Sequence, residues 1–159
     1  MNLVKIYTDG SHLDKQNNGR LGCGGVMING DTGKLIDKFS EELTPRYLQN
    51  FLGTTKVSNP TAEMLGAYFA LKKFNIPKEV KQVIIFADYQ GVKCWNEGSW
   101  KIKEPYIKII KQSIDNLIKI KNLTGKIKFE WVKGHQNSAI SIDAYWNGIT
   151  DKLAKGENE

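Results

Sequence analysis

Three acidic side chains occupy positions at which carboxylates could do chemistry together. Asp9 and Asp88 each follow an apolar run typical of a strand, and Glu63 lies in the expected first turn of a helix. Carboxylates held close together repel one another, so a cluster of them is stabilised when a hard divalent cation supplies the missing positive charge. Mg²⁺ prefers oxygen ligands, and two such ions about 4 Å apart can drive phosphodiester hydrolysis. Asp151 is the candidate fourth member.

Each acid taken alone also has an ordinary structural explanation. Asp9 could be a turn residue in the segment Asp9-Gly10-Ser11, and Glu63 could be a partner of the positive helix N-terminus. Asp151 could be a surface acid of a helix. The spacing therefore leaves both a metal site and an unrelated set of acids open.

The order of elements decides whether these acids meet. Apolar and β-branched runs predict strands, and Asn59 with Pro60 predicts the start of a helix in which Asn59 is the N-cap. A loop of about fifteen residues should precede Asn59. The first three strands should form an antiparallel meander, and the strand–helix–strand passage should add a parallel pair. The fold class is thus α/β, in a single domain over residues 1–159. The predicted strands are 3–8, 24–28, 34–43, 83–87 and 126–132, and the predicted helices begin near 60, 90, 104 and 143. The first strand should end at a turn formed by Asp9-Gly10-Ser11.

Composition favours a folded protein with a polyanionic partner. The chain has 159 residues, 40% of them hydrophobic, and a net charge of +6. Nine lysines and three acids between residues 101 and 133 account for this whole excess. Such a concentration of lysines suits nucleic acid, although a solvated helix face would look the same.

Cys23 and Cys94 are expected to be reduced core residues. No apolar run reaches bilayer length, so a soluble, cytoplasmic (intracellular) protein is expected.

Five segments, in order along the whole chain, resemble type 1 ribonuclease H. The resemblance implies an RNase H-like fold, with a five-stranded mixed sheet of three antiparallel strands and parallel additions, flanked by helices. It also implies an endoribonuclease that hydrolyses the RNA strand of an RNA–DNA hybrid by a two-metal-ion mechanism, leaving 3′-hydroxyl and 5′-phosphate ends. The segments are Ile6-Tyr7-Thr8-Asp9-Gly10-Ser11, Asn59-Pro60-Thr61-Ala62-Glu63, Ile84–Gln90, Trp131-Val132-Lys133-Gly134-His135 and Asn147–Ala154.

The resemblance assigns roles to five residues. Asp9 would bridge two Mg²⁺ ions, for which Mn²⁺ is a possible substitute. Asp151 would complete the site that activates water, while Glu63 and Asp88 would hold the second ion. His135 would assist proton movement or product release from a mobile loop, unless it is simply a structural histidine.

The resemblance also implies contacts with the hybrid. Asn59 would contact a 2′-hydroxyl, the group that distinguishes RNA from DNA, although it could also simply cap its helix. Lys56 and Ser58 would meet a DNA phosphate, and the exposed Trp100 would face the DNA strand, whereas Trp95 could equally be core. The expected nucleic-acid-binding residues are Gly10, Ser11, His12, Lys56, Ser58, Asn59, Gln90 and Trp100.

The sequence departs from the family pattern at three places. Tyr89 stands where relatives usually have serine, and the segment after Trp100 is too short for the full basic handle of some relatives. The stretch between His135 and Asp151 is long and contains Asp143, which could replace Asp151 as the fourth ligand. Two rival functions remain open: a strand-transfer or resolvase-like nuclease of the same superfold, and an inactive binding module. A monomer is expected.

Overall fold

A single mixed sheet of five strands organises the protein, whose structure is a computed structural model describing residues 1–13, 20–132 and 141–157. The strand order is β3-β2-β1-β4-β5. The α/β class and the mixed sheet predicted from the sequence are confirmed. In chain order the elements are β1 (Leu3–Leu13), β2 (Arg20–Asn29), β3 (Leu35–Glu42), α1 (Pro45–Leu52), α2 (Asn59–Lys73), β4 (Gln82–Ala87), α3 (Gln90–Glu97), α4 (Pro105–Ile120), β5 (Ile127–Trp131) and α5 (Ile142–Ala154).

The pairing of the strands brings two of the candidate acids together. β1, β2 and β3 form the predicted antiparallel meander, while β4 lies parallel to both β1 and β5. The last parallel pair between β1 and β4 is Thr8 with Ala87. The next residues after the ends of these two paired stretches are Asp9 and Asp88, which therefore emerge side by side.

The two faces of the sheet carry separate apolar clusters. Ile6 and Ile85 belong to the larger cluster, which they share with α2 and α4. Tyr7 and Phe86 belong to the smaller cluster, where Leu153 of α5 packs. Because side chains alternate along a strand, Asp9 shares the face of Tyr7, beneath α5. Helices thus cover both faces around the acids.

Close packing between α2 and β1 depends on glycine. A Cβ atom at Gly10 would lie 2.1 Å from the carbonyl carbon of Ala62, a backbone atom that cannot relieve the clash by a rotamer change. A Cβ at Gly66 would lie 3.0 Å from the carbonyl oxygen of Asp9. Small residues on both elements therefore set the distance at which α2 crosses the strand that carries Asp9.

The predicted turn at Asp9-Gly10-Ser11 is wrong. β1 continues to Leu13, and its pairing with β2 extends through this segment to Arg20. The ladder to β2 supplies hydrogen bonds that a turn would otherwise have to provide, so tertiary pairing overrides the local turn preference.

The predicted loop before Asn59 is also wrong, because it contains α1. Thr44 caps this helix by accepting a hydrogen bond from the amide of Tyr47, and Gly53 ends it in the left-handed conformation with φ of 73°. Leu48 and Leu52 are buried. Thr44 followed by Pro45, with Gly53 after the last turn, is a start-and-stop signal that the sequence does contain.

The start of α2 is shifted by one residue from its prediction. The N-cap is Ser58, whose amide lies 3.5 Å from the hydroxyl of Thr61, and Asn59 is the first helical residue. Glu63 consequently lies in the second turn, not the first, so the helix N-terminus is a weaker explanation for its presence.

Cys23 and Cys94 are both buried thiols that form no disulfide, as predicted. Within the described ranges, no helix combines the length and the apolar character that crossing a bilayer requires.

Candidate active site

Asp9, Glu63 and Asp88 form a compact cluster of carboxylates. One oxygen atom from each lies within 4.8 Å of the others. Asp9 is 3% exposed, and the other two are partly buried. The three side chains come from β1, from the second turn of α2 and from the end of β4. This is the only group of three or more potential metal ligands among the described residues, and its all-oxygen donor set suits Mg²⁺.

The register between α2 and β1 is set by two hydrogen bonds at the site. Parallel pairing with β4 stops at Thr8, so the β1 amides that face the β4 side beyond that residue lack a strand partner, although β1 stays paired with β2. The amide of Gly10 donates to Glu63 Oε1 at 2.8 Å and also to Asp9 Oδ1 at 2.9 Å. The amide of His12 donates to Asn59 Oδ1 at 3.0 Å. Helix residues one turn apart thus satisfy alternate amides of the strand.

The cluster is electrostatically unfavourable without a cation. Burial, followed by the charge of Asp88, raises the pKa of Asp9 well above its usual value. Burial and the charges of Asp9 and Asp88 raise the pKa of Glu63 in the same way. Like charges in a desolvated site disfavour ionisation, so an ion that neutralises them would bind strongly to the ionised form.

Asp151 and Asp143 have different surroundings on α5. Asp151 acts on Asp9 through its charge and a side-chain hydrogen bond, both of which raise the pKa of Asp9. Its Oδ2 also accepts a hydrogen bond from Lys155 at 3.0 Å. Asp143 instead accepts a hydrogen bond from Tyr7 and lies 4.0 Å from the Lys5 ammonium. These contacts favour Asp151 over Asp143 as the fourth member of the site.

The Tyr7–Asp143 contact anchors the start of α5 over the sheet. Tyr7 is fully buried and its hydroxyl lies 2.5 Å from Asp143 Oδ1. Burial and then this hydrogen bond raise the pKa of Tyr7. Nothing in the sequence signals this pairing, because the two residues are 136 positions apart.

We expect Tyr7→Phe to destabilise the protein by about 1–2 kcal/mol in urea denaturation. A hydrogen bond to a charged acceptor contributes ~1.5–3 kcal/mol, and water at the partly exposed Asp143 recovers some of that loss. Asp143→Asn is the matched control, because it keeps an oxygen acceptor and should cost less. Equal stability of Tyr7→Phe and the wild type would contradict a structural role for this bond.

Trp131 is a second site residue whose role the sequence does not reveal. Its indole Nε1 donates to the backbone carbonyl of Asp88 at 3.1 Å, which restrains the chain where the third acid leaves β4. The candidate His135 of the same motif lies outside the described residues, as do all of residues 133–140.

The expected nucleic-acid-binding residues lie on segments next to the acids. Lys56, Ser58, Asn59 and Gln90 are exposed. His12 is partly exposed, whereas Ser11 is buried at 7% exposure, so its backbone is its only plausible contribution.

An aromatic cluster lies directly after Asp88. Tyr89 packs with Trp95 and Trp100 at ring-centroid distances of 5.7 and 6.4 Å. Trp100 is 39% exposed, as expected, while Trp95 is partly buried against the core. Tyr89, where the sequence departs from the family pattern, thus joins the predicted aromatic surface.

Comparisons with known proteins identify the family. The RNase H family model matches residues 1–159, whereas no curated protein gives a significant match. The N-terminal RNase H domain of Rv2228c from Mycobacterium tuberculosis, solved as a fusion with maltose-binding protein, is 20% identical with a TM-score of 0.68, covering 99% of both chains.

Two further solved structures are similar. LC11-RNase H1, in complex with an RNA/DNA hybrid, is 18% identical with a TM-score of 0.69, over 97% of this chain and 95% of that one. The RNase H domain of prototype foamy virus is 22% identical with a TM-score of 0.67, over 96% and 92%. These likenesses establish the fold. With a family match that spans every residue, the chain belongs to the RNase H family and is a ribonuclease H.

Proposed function

We propose that this ribonuclease H is an endonuclease that hydrolyses the RNA strand of RNA–DNA hybrids by a two-metal-ion mechanism, leaving 3′-hydroxyl and 5′-phosphate ends. The observation that carries the proposal is the cluster of Asp9, Glu63 and Asp88 within 4.8 Å. The 159 residues act as one catalytic domain and as a monomer.

Asp9, Glu63, Asp88 and Asp151 would hold two Mg²⁺ ions, or Mn²⁺ in their place. When bound, such ions lower the pKa of water and stabilise charge on the leaving oxygen. The donor set fits, since burial and then the unneutralised charge of neighbouring carboxylates raise the pKa of both Asp9 and Glu63. The amide of Gly10 holds an oxygen of each in place.

The reaction is a hydrolysis at phosphorus. The oxygen of water forms a bond to phosphorus, the bond from phosphorus to O3′ breaks, and O3′ takes up a proton. His135 is proposed to assist that proton movement or the release of the product. Trp131 acts as a positioning residue, because it holds the Asp88 backbone rather than the substrate.

Recognition of the RNA strand would come from the ends of β1 and α2. Asn59 Oδ1 is engaged by the amide of His12, which leaves the side-chain NH₂ free to donate to a 2′-hydroxyl. Gly10, Ser11 and His12 would contribute backbone groups, and Gln90 would lie in the same groove. These contacts read the shape of the hybrid and its 2′-hydroxyls rather than its sequence.

The DNA strand would be contacted by neighbouring residues of the same segment and by the aromatic cluster. Lys56 and Ser58 would contact a phosphate, which positions the duplex without reading bases. Trp100 would offer an aromatic surface to the sugar and base edges. Its packing against Tyr89 and Trp95 makes that surface rigid.

The test is cleavage of labelled RNA–DNA hybrid, double-stranded DNA and double-stranded RNA, with Mg²⁺, Mn²⁺ or EDTA. We expect metal-dependent cutting of only the RNA strand of the hybrid, with products that carry 5′-phosphates. Cutting of DNA would transfer the protein to the strand-transfer or resolvase class. Hybrid binding without cutting in either metal would overturn the proposal.

A further inference from the structure

A cavity of about 350 Å³ lies at the opposite end of the sheet from the acids. It is formed where the chain enters β4 and β5 and where α4 ends. Small-molecule sites range from roughly 300 to 1,000 Å³, so the cavity is large enough for a compact ligand. β4 has six residues, which at about 3.3 Å each separates the cavity from Asp88 by roughly 20 Å.

Among the residues that the structure describes, the cavity is lined by lysines and by no carboxylate. Lys78, Lys121 and Lys126 all contribute to its wall, and its other described lining residues are apolar or asparagine. Lys121 is partly buried and donates to the carbonyl oxygen of Phe74 at 2.8 Å. Burial lowers the pKa of Lys121. An ammonium that is desolvated without an anionic partner is costly, and a bound anion would remove that cost.

Apart from two asparagines, the rest of the described wall is apolar. Val80 and Leu123 are buried, Ile76 and Pro77 are partly buried, and all four line the cavity. A purely electrostatic anion site would not need such a surface. Cations beside an apolar wall suit a ligand that has an anionic group at one end and a flat apolar body at the other.

Backbone hydrogen bonds hold the walls in place. The amide of Val80 donates to the carbonyl oxygen of Pro77, and the amide of Lys126 donates to the carbonyl oxygen of Leu123. The amide of Leu123 donates to the carbonyl oxygen of Ile118 at 2.9 Å, which closes the end of α4. The walls of the cavity are thus turns held by backbone hydrogen bonds, and a ligand would bind without ordering a loop.

We propose that this cavity binds a small phosphomonoester on a flat apolar body, of the size of a nucleoside monophosphate. Three lysines suit a phosphomonoester, which carries a charge of about −1.5 to −2 at neutral pH. The site is separate from the proposed catalytic function and does not depend on it.

The test is titration of the ¹⁵N-labelled full chain, in EDTA, with adenosine 5′-monophosphate, phenyl phosphate, inorganic phosphate and adenosine. We expect the two monoesters to shift the amides of Asn122, Leu123 and Lys126, and to bind at least about tenfold more tightly than inorganic phosphate or adenosine. Binding of adenosine 5′-monophosphate alone would mark the site as nucleotide-specific within the proposed class. Equal binding of inorganic phosphate or of adenosine, or shifts centred on Gly10 and Asn59, would overturn the proposal.

Variants assign the binding to the lysines. Lys78→Met and Lys126→Met should each weaken binding of adenosine 5′-monophosphate at least about tenfold, since a charge-assisted hydrogen bond is worth about 1.5–3 kcal/mol and about 1.4 kcal/mol is a factor of ten. Neither side chain has a described ion pair, so both variants should fold. Lys119→Met is the matched control, because Lys119 is on α4 but does not line the cavity. Equal loss in the control and in the two variants would overturn the assignment.

Discussion

Asp9→Asn lowers the rate of hybrid cleavage by about a hundred- to a thousandfold, the scale of losing one group on which the electrostatic stabilisation of the transition state depends. Asp9 is the most central acid of the cluster, because Glu63, Asp88 and Asp151 all act on its pKa. Asparagine preserves shape and can still accept the hydrogen bond from Gly10, so the loss reports charge. The measurement is the single-turnover rate in Mg²⁺.

The same substitution stabilises the metal-free protein. Replacing a buried carboxylate by an amide removes repulsion with Glu63 and Asp88. In EDTA at pH 8 we expect Tm to rise by ~2–4 °C, the shift that about 1 kcal/mol produces in a chain of this size. Mg²⁺ should raise Tm of the wild type, because it binds the folded state, and should have little effect on the variant.

The gain depends on pH in a definite direction. The pKa values of Asp9 and Glu63 are raised in the folded state, so folding is favoured by protonation of these groups. Their contribution is fully present below the unfolded values, near pH 4, and is lost as pH rises through the higher folded values. The difference in Tm between variant and wild type should therefore be small at pH 4 and larger at pH 8.

Asp37→Asn is the matched control for both effects. Asp37 is an exposed acid on β3, and its substitution should change neither the cleavage rate nor the response to Mg²⁺. Asp9→Asn that cleaves within tenfold of the wild type would remove Asp9 from the catalytic machinery. A fall in metal-free Tm at pH 8 would show that the cluster is not under electrostatic strain.

Gly10→Ala destabilises the protein by about 3 kcal/mol or more, because overpacking against fixed atoms costs at least 1–3 kcal/mol. The new Cβ would lie 2.1 Å from the carbonyl carbon of Ala62 and 2.4 Å from the amide nitrogen of Glu63. Both are backbone atoms, so α2 itself has to move away from β1. That movement would carry Glu63 away from Asp9 and weaken Mg²⁺ binding as well.

Gly148→Ala is the control for glycine replacement as such. Gly148 lies inside α5, and a Cβ there would have no neighbour within 4 Å. Alanine in a helix interior is favoured over glycine by roughly 0.5–1 kcal/mol, so this variant should be more stable than the wild type. Urea denaturation in EDTA measures both variants. A Gly10→Ala protein as stable as the wild type would contradict the close approach of α2.

Local patterns were sufficient for most of the elements and for placing Asp9 and Asp88 at one edge of the sheet. Apolar runs mark β1 and β4, and an acid directly after such a run in two parallel neighbours must lie at the same edge of the sheet. Asn59 and Glu63, four residues apart, share a helix face for an equally local reason. The missed helix α1 has recognisable caps at Thr44 and Gly53, so its absence from the prediction was an error of interpretation rather than a lack of signal.

Contacts between distant parts of the chain required the folded structure. The turn predicted at Asp9-Gly10-Ser11 is extended because β2 pairs with it. The amide of Gly10 holds Glu63 only because β4 ends one residue too early to pair there, and the hydroxyl of Tyr7 selects Asp143 from 136 positions away. Periodicity reports which face of an element is apolar, but the register of one element against another depends on side chains that meet only after folding. For this reason the types and spacing of the acids were readable along the chain, whereas their distances, their pKa shifts and their hydrogen-bond donors were not.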